Sequence, residues 1–528
     1  MLLIAEPLTH DYHTILQLWE VQSKKSIYVE PPFKPYFYSR KPWAKAESMK
    51  KTFLSDMKKR WVWKAEFNTT GKLGLARTDY TMEDDIPFVQ RIAIDVGYKY
   101  PSPLPKGLAW DIETYVDGIL PNPYKDKLRS IGYWIDSKHN GCYVNDPYTK
   151  DGEREVIKQF RNVVLKENPD LIIDFYGRFY DFPTLMNRAD ALGFRLDLGR
   201  DGSTPYVVQR DIQKRGRIKT EHSIRLGGRL HFDVNKEAEA DYSLTLAGVH
   251  TNLNDVATHF AKKAGFEPPI SDVNHANIPK DRLEETNIDD CRVTMEVAKI
   301  YLETLYYFCD ELNVPLSLIV RRSPSHIPNY ALAQEYFKMG IISDGANQDR
   351  YPWVFQTKKA CSGGYVKCLR PGLHRKVSNW DFKSLYPSIM IAFNLSPETV
   401  SLVSRKPRTG NYRFEDHGNY AIIEVPDIYH GQVTCKVDLT RDGVTRVLQK
   451  RYRKKRAETK LKTHNNAVKV MANSMFGYNL MRYARYGNPL VGILITNIGR
   501  HLINNSVKDK NVIEIDTDGY WVESNGNK

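Results

Sequence analysis

Short apolar runs that lead into carboxylates recur along this chain, and they set the expected elements. Leu108-Ala-Trp-Asp-Ile-Glu-Thr114 reads as a strand. Asp111 and Glu113 alternate on it, so their carboxylates share a face. Ile131-Gly-Tyr-Trp134, Leu171-Ile-Ile-Asp-Phe175 and Leu230-His-Phe-Asp233 read as further strands, with helical segments between them. Strands alternating with helices predict an α/β sheet. A helical stretch from about Asp289 to Leu312 closes it. From Cys361 the pattern changes. Ser362-Gly-Gly-Tyr365 reads as a flexible turn, and Val377 to Trp380 as a strand running into Asp381. Pro387 to Asn394 then reads as a helix, and Tyr420-Ala-Ile-Ile-Glu-Val425 as a strand. Residues 446–476 give two helical runs broken near Thr463-His-Asn-Asn466. Asn511-Val-Ile-Glu-Ile515 and Tyr520-Trp-Val-Glu523 predict a β-hairpin, with Asp518-Gly519 as the turn signal.

The first 105 residues read as mixed α/β with many short strands. Pro31-Pro-Phe-Lys-Pro-Tyr-Phe-Tyr38 is expected to be extended. Pro101-Ser-Pro-Leu-Pro105 reads as a linker, because the residue before each proline is pushed to extended geometry. Arg322-Ser-Pro-Ser325 marks a second boundary. No internal repeat or low-complexity tract is present.

At 528 residues and roughly 150 per domain, three or four domains are expected. A hydrophobic content of 41% is ample for large cores, yet no apolar run approaches the ~20 residues of a membrane span. The start, Met1-Leu-Leu-Ile-Ala-Glu6, is too short and too soon acidic for a secretory signal. Six scattered cysteines without a Cys-x-x-Cys pair point to a reduced, cytoplasmic protein without structural zinc. Formal charge is 77 − 63 = +14. That fits either a polyanionic partner or a solvated basic surface. The distribution favours the partner: Arg446, Lys450, Arg451, Arg453, Lys454, Lys455, Arg456, Lys460 and Lys462 crowd one stretch, interrupted by the single acid Glu458.

Three segments carry the candidate chemistry: Asp381-Phe-Lys-Ser-Leu-Tyr-Pro-Ser-Ile389, Lys469-Val-Met-Ala-Asn-Ser-Met-Phe-Gly477 and Asp516-Thr-Asp-Gly519. The first and third place carboxylates at strand ends. Asp516 and Asp518 alternate with Thr517, so both are expected on one face. Lys469 and Asn473 lie one helical turn apart on one face. Carboxylates for two divalent ions ~3.5–4 Å apart, with a basic helix for phosphate, are the components of nucleotidyl transfer. Asp-x-Asp-Gly alone is an ordinary hairpin turn; its company changes that reading.

In order and spacing these segments resemble motifs A, B and C of family B DNA polymerases. The resemblance implies metal binding by Asp381, Asp516, Asp518 and the backbone of Phe382. It implies a dNTP site made by Ser384, Leu385, Tyr386, Lys469 and Asn473. Tyr386 matches the tyrosine that stacks under the incoming sugar and excludes a 2′ hydroxyl; its ordinary alternative is a core tyrosine before a helix. On the first fingers helix Arg451 and Lys455 match the family's Arg and Lys, with Arg453, Lys454 and Arg456 as close competitors. Phe476 stands where the family has tyrosine. Asn394-Leu-Ser-Pro-Glu-Thr399 and Thr496-Asn-Ile-Gly-Arg500 also fit the family. Ser362-Gly-Gly-Tyr365 resembles its Tyr-x-Gly-Gly element, which contacts the template and helps switch between sites, although the first position here is not tyrosine. Phe33-Lys-Pro-Tyr-Phe-Tyr38 and Asp85-Ile-Pro-Phe88 resemble its N-terminal domain.

A second site completes the resemblance. Asp111 and Glu113 match the first motif of a DEDD 3′→5′ exonuclease. The segment from Pro169 to Pro183 resembles the second and supplies Asp181. The segment from Thr286 to Thr294 resembles the third and supplies Asp290. Four carboxylates would hold two Mg²⁺ ions for phosphodiester hydrolysis. Tyr176 stands where the second motif has asparagine. Thr286 stands where the third has the tyrosine that orients water, so hydrolysis is expected to be slower than usual. Asp233 is read as structural, or as near the site without ligating.

The expected fold is multidomain, α/β and α+β: an N-terminal domain, an RNase H-like exonuclease, an antiparallel palm and helical fingers, with no thumb. The expected spans are 1–105 for the N-terminal domain, 106–325 for the exonuclease and 326–360 for a return to the N-terminal domain. The palm opens over 361–445, the fingers follow over 446–478, and the palm resumes over 479–528. The sequence ends ten residues after Asp518, which suggests the N-terminal portion of a split or truncated enzyme. The expected function is DNA-templated addition of dNTPs to a primer with proofreading. The rivals are a DEDD exonuclease with a vestigial polymerase half and a non-catalytic DNA-binding remnant. Expected cofactors are two Mg²⁺ ions per site, with Mn²⁺ as substitute. Expected partners are primer-template DNA, dNTPs, a second polypeptide carrying the remaining palm and thumb, and a processivity factor, with no membrane. The resemblance is compatible with a phage, another virus or an archaeon as source.

Overall fold

The computed structural model describes residues 2–523 except 11–12, 21–26, 32–33, 40–45, 47, 57–60, 69–71, 74–80, 83–87, 97–103, 117–120, 215–216, 271–277, 321–325, 344, 409 and 509. Phe33, Asp85-Ile-Pro87, the opening of the proline linker and the boundary at Arg322–Ser325 therefore lie outside the described residues. The chain divides into two compact units. One comprises 1–8, 15–30 and 99–322; the other comprises 9–14, 31–98 and 323–528.

In the first unit a five-stranded mixed sheet is built from β1 (Gly107–Tyr115), β2 (Lys127–Asp136), β3 (His139–Val144), β4 (Leu171–Asp174) and β7 (Leu230–Asp233), in the order β3-β2-β1-β4-β7. β1, β2 and β3 are antiparallel; β4 runs parallel to both β1 and β7. This is the RNase H-like arrangement anticipated for the exonuclease. Helices α1 (Lys150–Glu167) and α2 (Asp181–Ala191) follow β3 and β4. The hairpin of β5 (Tyr206–Lys214) and β6 (Arg217–Arg225) stands apart as a two-stranded sheet. Helix α3 (Lys280–Leu312) is longer than its apolar pattern announced, beginning nine residues before Asp289.

Strand alternation gives β1 two distinct faces. Trp110 and Ile112 point into a core with Phe160 of α1 and Phe182 of α2, the Trp110 ring lying 4.9 Å from each phenyl ring. Fully burying such side chains contributes about 1.5–3 kcal/mol each. Helix α1 presents Val156, Ile157, Phe160, Val163 and Val164 to that core, and Thr149 caps it by accepting from the Gly152 amide at 2.9 Å. The opposite face of β1 meets α3. A Cβ on Gly107 would lie 3.3 Å from the Met295 methyl group, and Asp111 is bonded to Asn287.

In the second unit a five-stranded sheet has the order Ile341–Ile342, Ser48–Asp56, Trp61–Glu66, Tyr36–Ser39, Thr81–Met82. Ile341 and Ile342 pair in parallel with Ser55 and Asp56, so the chain returns to this sheet after the exonuclease strands. Helix α4 (His326–Lys338) precedes that return. The palm sheet has the order β8 (Val366–Cys368), β14 (Val512–Asp516), β15 (Gly519–Glu523), β9 (Val377–Asp381). Helix α5 (Leu385–Ala392) follows β9. A second four-stranded antiparallel sheet holds β10 (Val400–Lys406), β13 (Gly431–Asp438), β12 (Tyr420–Asp427) and β11 (Arg413–Asp416), in that order.

The helices α6 (Val444–Glu458) and α7 (Lys462–Asn479) break at Thr459–Leu461, not near Thr463–Asn466 as the polar cluster suggested. Those polar residues instead form the opening turns of α7, where weak helix formers cost least. Helix α8 (Pro489–Ser506) begins with proline at its first position and is capped by Asn488, which accepts from the Leu490 amide. Its near-continuous apolar run, Leu490 to Ile498, lies buried among Ile389, Met390, Ile423 and Val433.

Candidate active sites

The exonuclease candidates are assembled from three elements. Asp111 and Glu113 come from β1, Asp290 from α3 one turn after Thr286, and Asp181 from the first residue of α2. Ligand oxygens of Asp111, Glu113 and Asp290 lie within 4.8 Å of one another. Asp181 is buried beside them without joining that tight trio. Burial pushes the Asp111 carboxyl well above the usual carboxylate range, and Asp181, Asp290 and Glu113 push it further. Burial likewise raises Asp181, with Asp174, Asp233 and Glu113 adding to it. A cluster of oxygen ligands that repel one another suits a hard divalent cation. The residues fit a divalent cation on that ground.

Asp233 takes a structural role. It accepts from the amides of Tyr176 and Asn235 at 3.0 Å and from Arg178 Nη1 at 2.6 Å. Tyr176 adopts φ +75°, the left-handed region, which asparagine tolerates better than tyrosine. Thr286 is buried, and its hydroxyl has no hydrogen-bond partner among the described residues. Two contributors were not singled out from sequence. Asp174 is fully buried on β4 and bonds His231 Nε2 at 2.7 Å, and its charge bears on Asp181. Asn287 donates to Asp111 Oδ2 at 3.0 Å. The signal for the first was an acid inside the apolar run Leu171-Ile-Ile-Asp174; the second had none.

The polymerase candidates meet at the palm sheet. Asp381 ends β9 and pairs with Gly519 of β15. Asp516 ends β14 and pairs with the same glycine across a two-residue loop, Thr517-Asp518. The turn is therefore one residue earlier than the Asp-Gly signal suggested. Thr517, at φ +58°, supplies its left-handed position, and Gly519 is already in the strand. Asp518 is a loop residue, so simple strand alternation does not set its direction. Partial burial raises its carboxyl, Asp381 and Asp516 raise it further, and Lys469 opposes them. Asp381, Asp516 and Asp518 do not draw their ligand oxygens within 4.8 Å of one another, as the exonuclease trio does. Their oxygen donors nevertheless fit a divalent ion.

The Tyr386 ring lies 4.6 Å from that of Phe476, and Gly499 leaves room for it: a Cβ there would sit 3.3 Å from Tyr386 Cε1. Burial pushes the Tyr386 phenol up to about 12. Ser384 precedes α5 at φ +55°, and Leu385 is buried at the start of that helix. Lys469 and Asn473 are both exposed on α7. On α6, Arg451 is turned away into an ion pair with Glu335 of α4 at 2.9 Å. Lys455 is half-buried one turn further along. Arg456 of α6 reaches motif A, its Nη1 donating to Ser384 Oγ at 3.1 Å.

The Ser362–Tyr365 segment is fastened to the palm. Ser362 donates its amide and hydroxyl to Asp427 Oδ2, which also accepts from Asn497. Arg500 donates to the Gly364 carbonyl at 3.1 Å and lies over the Tyr365 ring. The Tyr365 carbonyl accepts from the Thr517 amide at 2.8 Å.

A mixed five-stranded sheet carrying an acid cluster, and a separate antiparallel sheet whose Asp518 feels the charge of Lys469, are the arrangement expected of a DNA polymerase that carries its own exonuclease domain. The model of DNA polymerase family B matches residues 334–519, and that of the family B exonuclease domain matches residues 79–256. The chain belongs to family B of the DNA-directed DNA polymerases. A DNA polymerase of Pyrococcus glycovorans is 26% identical over all of this chain and 71% of its own length. DNA polymerase 1 of Pyrococcus abyssi is 26% identical over 84% of this chain, which spans 57% of that relative. The solved family B polymerase of Pyrobaculum calidifontis has the same fold, with a TM-score of 0.74 at 20% identity over 99% of this chain and 74% of its own. These relatives are archaeal. Among the described residues no helix is long and apolar enough to cross a membrane.

Proposed function

We propose that this chain adds dNTPs to a primer 3′ end on a DNA template, and removes mispaired 3′ nucleotides at a separate site. The observation that carries the first half is the palm rung. Asp381 pairs with Gly519 while Lys469 bears on Asp518, so acids and phosphate-binding cation face one position. In this reading Asp381, Asp516, Asp518 and the Phe382 carbonyl hold two Mg²⁺ ions. When bound, the ions would activate the primer hydroxyl and stabilise the leaving pyrophosphate. Lys469, Asn473 and Arg456 bind the triphosphate, and Tyr386 walls off the ribose 2′ position. Asp111, Glu113, Asp181 and Asp290 serve the exonuclease, with Thr286 leaving the attacking water less well oriented.

Template-primer DNA is the proposed polyanionic partner, met in part by the exposed cations of α6, Arg453 and Lys454. The five residues of β9 are all exposed, Trp380 by 58%, and among the described residues no further strand covers that edge. A bare edge of this kind takes up additional strand. We read its partner as the remaining palm and thumb, in a separate polypeptide or in the same one, with a processivity factor as a further partner. Primer extension with Mg²⁺, with and without dNTPs, tests the reading. Extension with dNTPs and digestion without them is the expected result. Digestion alone would leave an exonuclease, and neither would leave a DNA-binding remnant.

A further inference from the structure

Asp111 stands at one end of a row of three residues that crosses the exonuclease sheet. Cys142 of β3 pairs with Gly132 of β2, and Gly132 pairs with Asp111 of β1. The middle position carries no side chain. Asn287 of α3, wholly buried, occupies the space: a Cβ on Gly132 would lie 2.2 Å from Asn287 Oδ1 and 2.9 Å from its carbonyl oxygen. From there the amide reaches both ends of the row. Its Nδ2 donates to Asp111 Oδ2 at 3.0 Å, and its Oδ1 accepts from Cys142 Sγ at 3.5 Å.

The two ends fix which way the amide points. An ionised carboxylate only accepts, so it faces the NH₂ group. Burial pushes the Cys142 thiol up to about 12, so it keeps its proton and donates, weakly, to the amide oxygen. An amide held at both ends cannot rotate away from Asp111. That matters because Asp111 is surrounded by Asp181, Asp290 and Glu113, whose charges all push against its own. Without a donor on Oδ2, the carboxylate would be free to turn from Glu113 and Asp290, whose ligand oxygens lie within 4.8 Å of its own.

We propose that Asn287 is the positioning residue for the Asp111 carboxylate, and that the bare Gly132 is what admits it. The inference rests on reading Asp111 as a metal-holding residue of the exonuclease. Outer partners of this kind typically set metal affinity by 10- to 100-fold. The role is also specific to the exonuclease unit, since every residue of the row lies within it.

The experiment is Mn²⁺ binding, followed by electron paramagnetic resonance on the full chain. The palm acids are silenced by Asp381→Ala with Asp518→Asn, so that only the exonuclease site reports. Asn287→Ala is expected to weaken Mn²⁺ binding by about 10- to 100-fold. In the same chain, digestion of single strands should recover toward the unsubstituted rate at saturating Mn²⁺, which general misfolding would not permit. Cys142→Ala, a smaller change at the less buried end of the row, should weaken binding roughly threefold by loosening the amide. It carries the test should Asn287→Ala fail to fold. Mn²⁺ binding unchanged in these variants overturns the positioning role and leaves the exonuclease reading intact. Mn²⁺ binding insensitive to Asp111→Ala overturns the exonuclease reading, and the positioning role with it.

Discussion

The amide of Phe382 donates to the carbonyl of Asp518 at 2.8 Å. One residue earlier, Asp381 pairs with Gly519. Two carboxylate-bearing segments far apart in the chain are thus pinned together through backbone, at the residues proposed to bear the chemistry. A side chain here can be removed without unpinning the other. Asp381→Ala and Asp518→Asn should therefore each cut nucleotide addition roughly a thousandfold, the cost of several kcal/mol of lost charge stabilisation. Digestion of single strands should persist, because Asp111 and its neighbours lie in the other unit. Near-normal primer extension by either variant would remove the palm assignment.

Tyr386 owes its position to two neighbours. Phe476 lies 4.6 Å away on one side, and Gly499 yields space on the other. Tyr386→Ala should open that wall and lower the preference for dNTP over rNTP by about 10- to 200-fold, the range for a steric pocket contact worth ~1–3 kcal/mol. Tyr386→Phe should keep the preference, since the ring does the excluding. An unchanged ratio in the alanine variant would return Tyr386 to an ordinary core tyrosine.

Much of this was legible because strand alternation and motif spacing are local. The faces of β1, with Trp110 inward and Asp111 toward α3, follow from period-two alternation. The hairpin at Asp516 was visible, but its turn was placed one residue late, because Thr517 takes the left-handed position usually given to glycine. Residues that act across long separations were not visible. Asp174 with His231, and Asn287 with Asp111, meet only when strands and helices pack. The register on α6 was left open in the sequence for a related reason. Arg451 and Arg456 are equally basic in sequence, and only Glu335 and Ser384 tell them apart.

That distinction can be measured. Arg456 reaches Ser384 of motif A, whereas Arg451 is held by Glu335. A hydrogen bond to a charged group contributes ~1.5–3 kcal/mol. Arg456→Ala should therefore raise the KM for dNTP by roughly 10- to 100-fold, with a smaller change in kcat. Arg451→Ala should leave KM nearly unchanged and lower the unfolding temperature, because it strips a partner from the buried Glu335. The opposite ranking of the two KM values would restore Arg451 as the phosphate ligand.

The exonuclease acids predict an unusual pH dependence. In the metal-free protein the Asp111 carboxyl is raised above its ordinary 3.8, chiefly by burial and then by Asp181. Between the ordinary and the raised value the folded state holds a proton that the unfolded state has lost. Stability contributed by this group therefore falls as pH rises through that window, and the full penalty is present above it. Asp111→Asn should raise the metal-free unfolding temperature at pH 8, by about 2–4 °C for each kcal/mol relieved. Added Mg²⁺ should stabilise the wild type at pH 8 more than at pH 5, and the variant little at either. Calorimetry at the two pH values reads both effects; a less stable variant at pH 8 would contradict the repulsion.

The last prediction concerns the segment beneath the catalytic hairpin. The Tyr365 carbonyl holds the Thr517 amide at 2.8 Å, which brings Gly364 directly under the turn. A Cβ on Gly364 would lie 2.5 Å from Thr517 Oγ1, 2.6 Å from Cγ2 and 2.9 Å from Cβ. All three atoms belong to one side chain on a branched residue, which cannot swing clear while φ stays at +58°. The hairpin itself must shift instead, and Asp516 and Asp518 flank that residue. Displacements near 1 Å at reacting groups can cost about a hundredfold in rate. Gly364→Ala should thus depress primer extension by up to roughly that factor while sparing exonuclease activity. Adding Thr517→Gly removes the three atoms that the new methyl group meets first and also suits the left-handed turn position. The double variant should recover most of the lost rate. Recovery of that kind separates hairpin displacement from general damage, and a Gly364→Ala enzyme that extends like wild type would show that this segment does not position the catalytic turn.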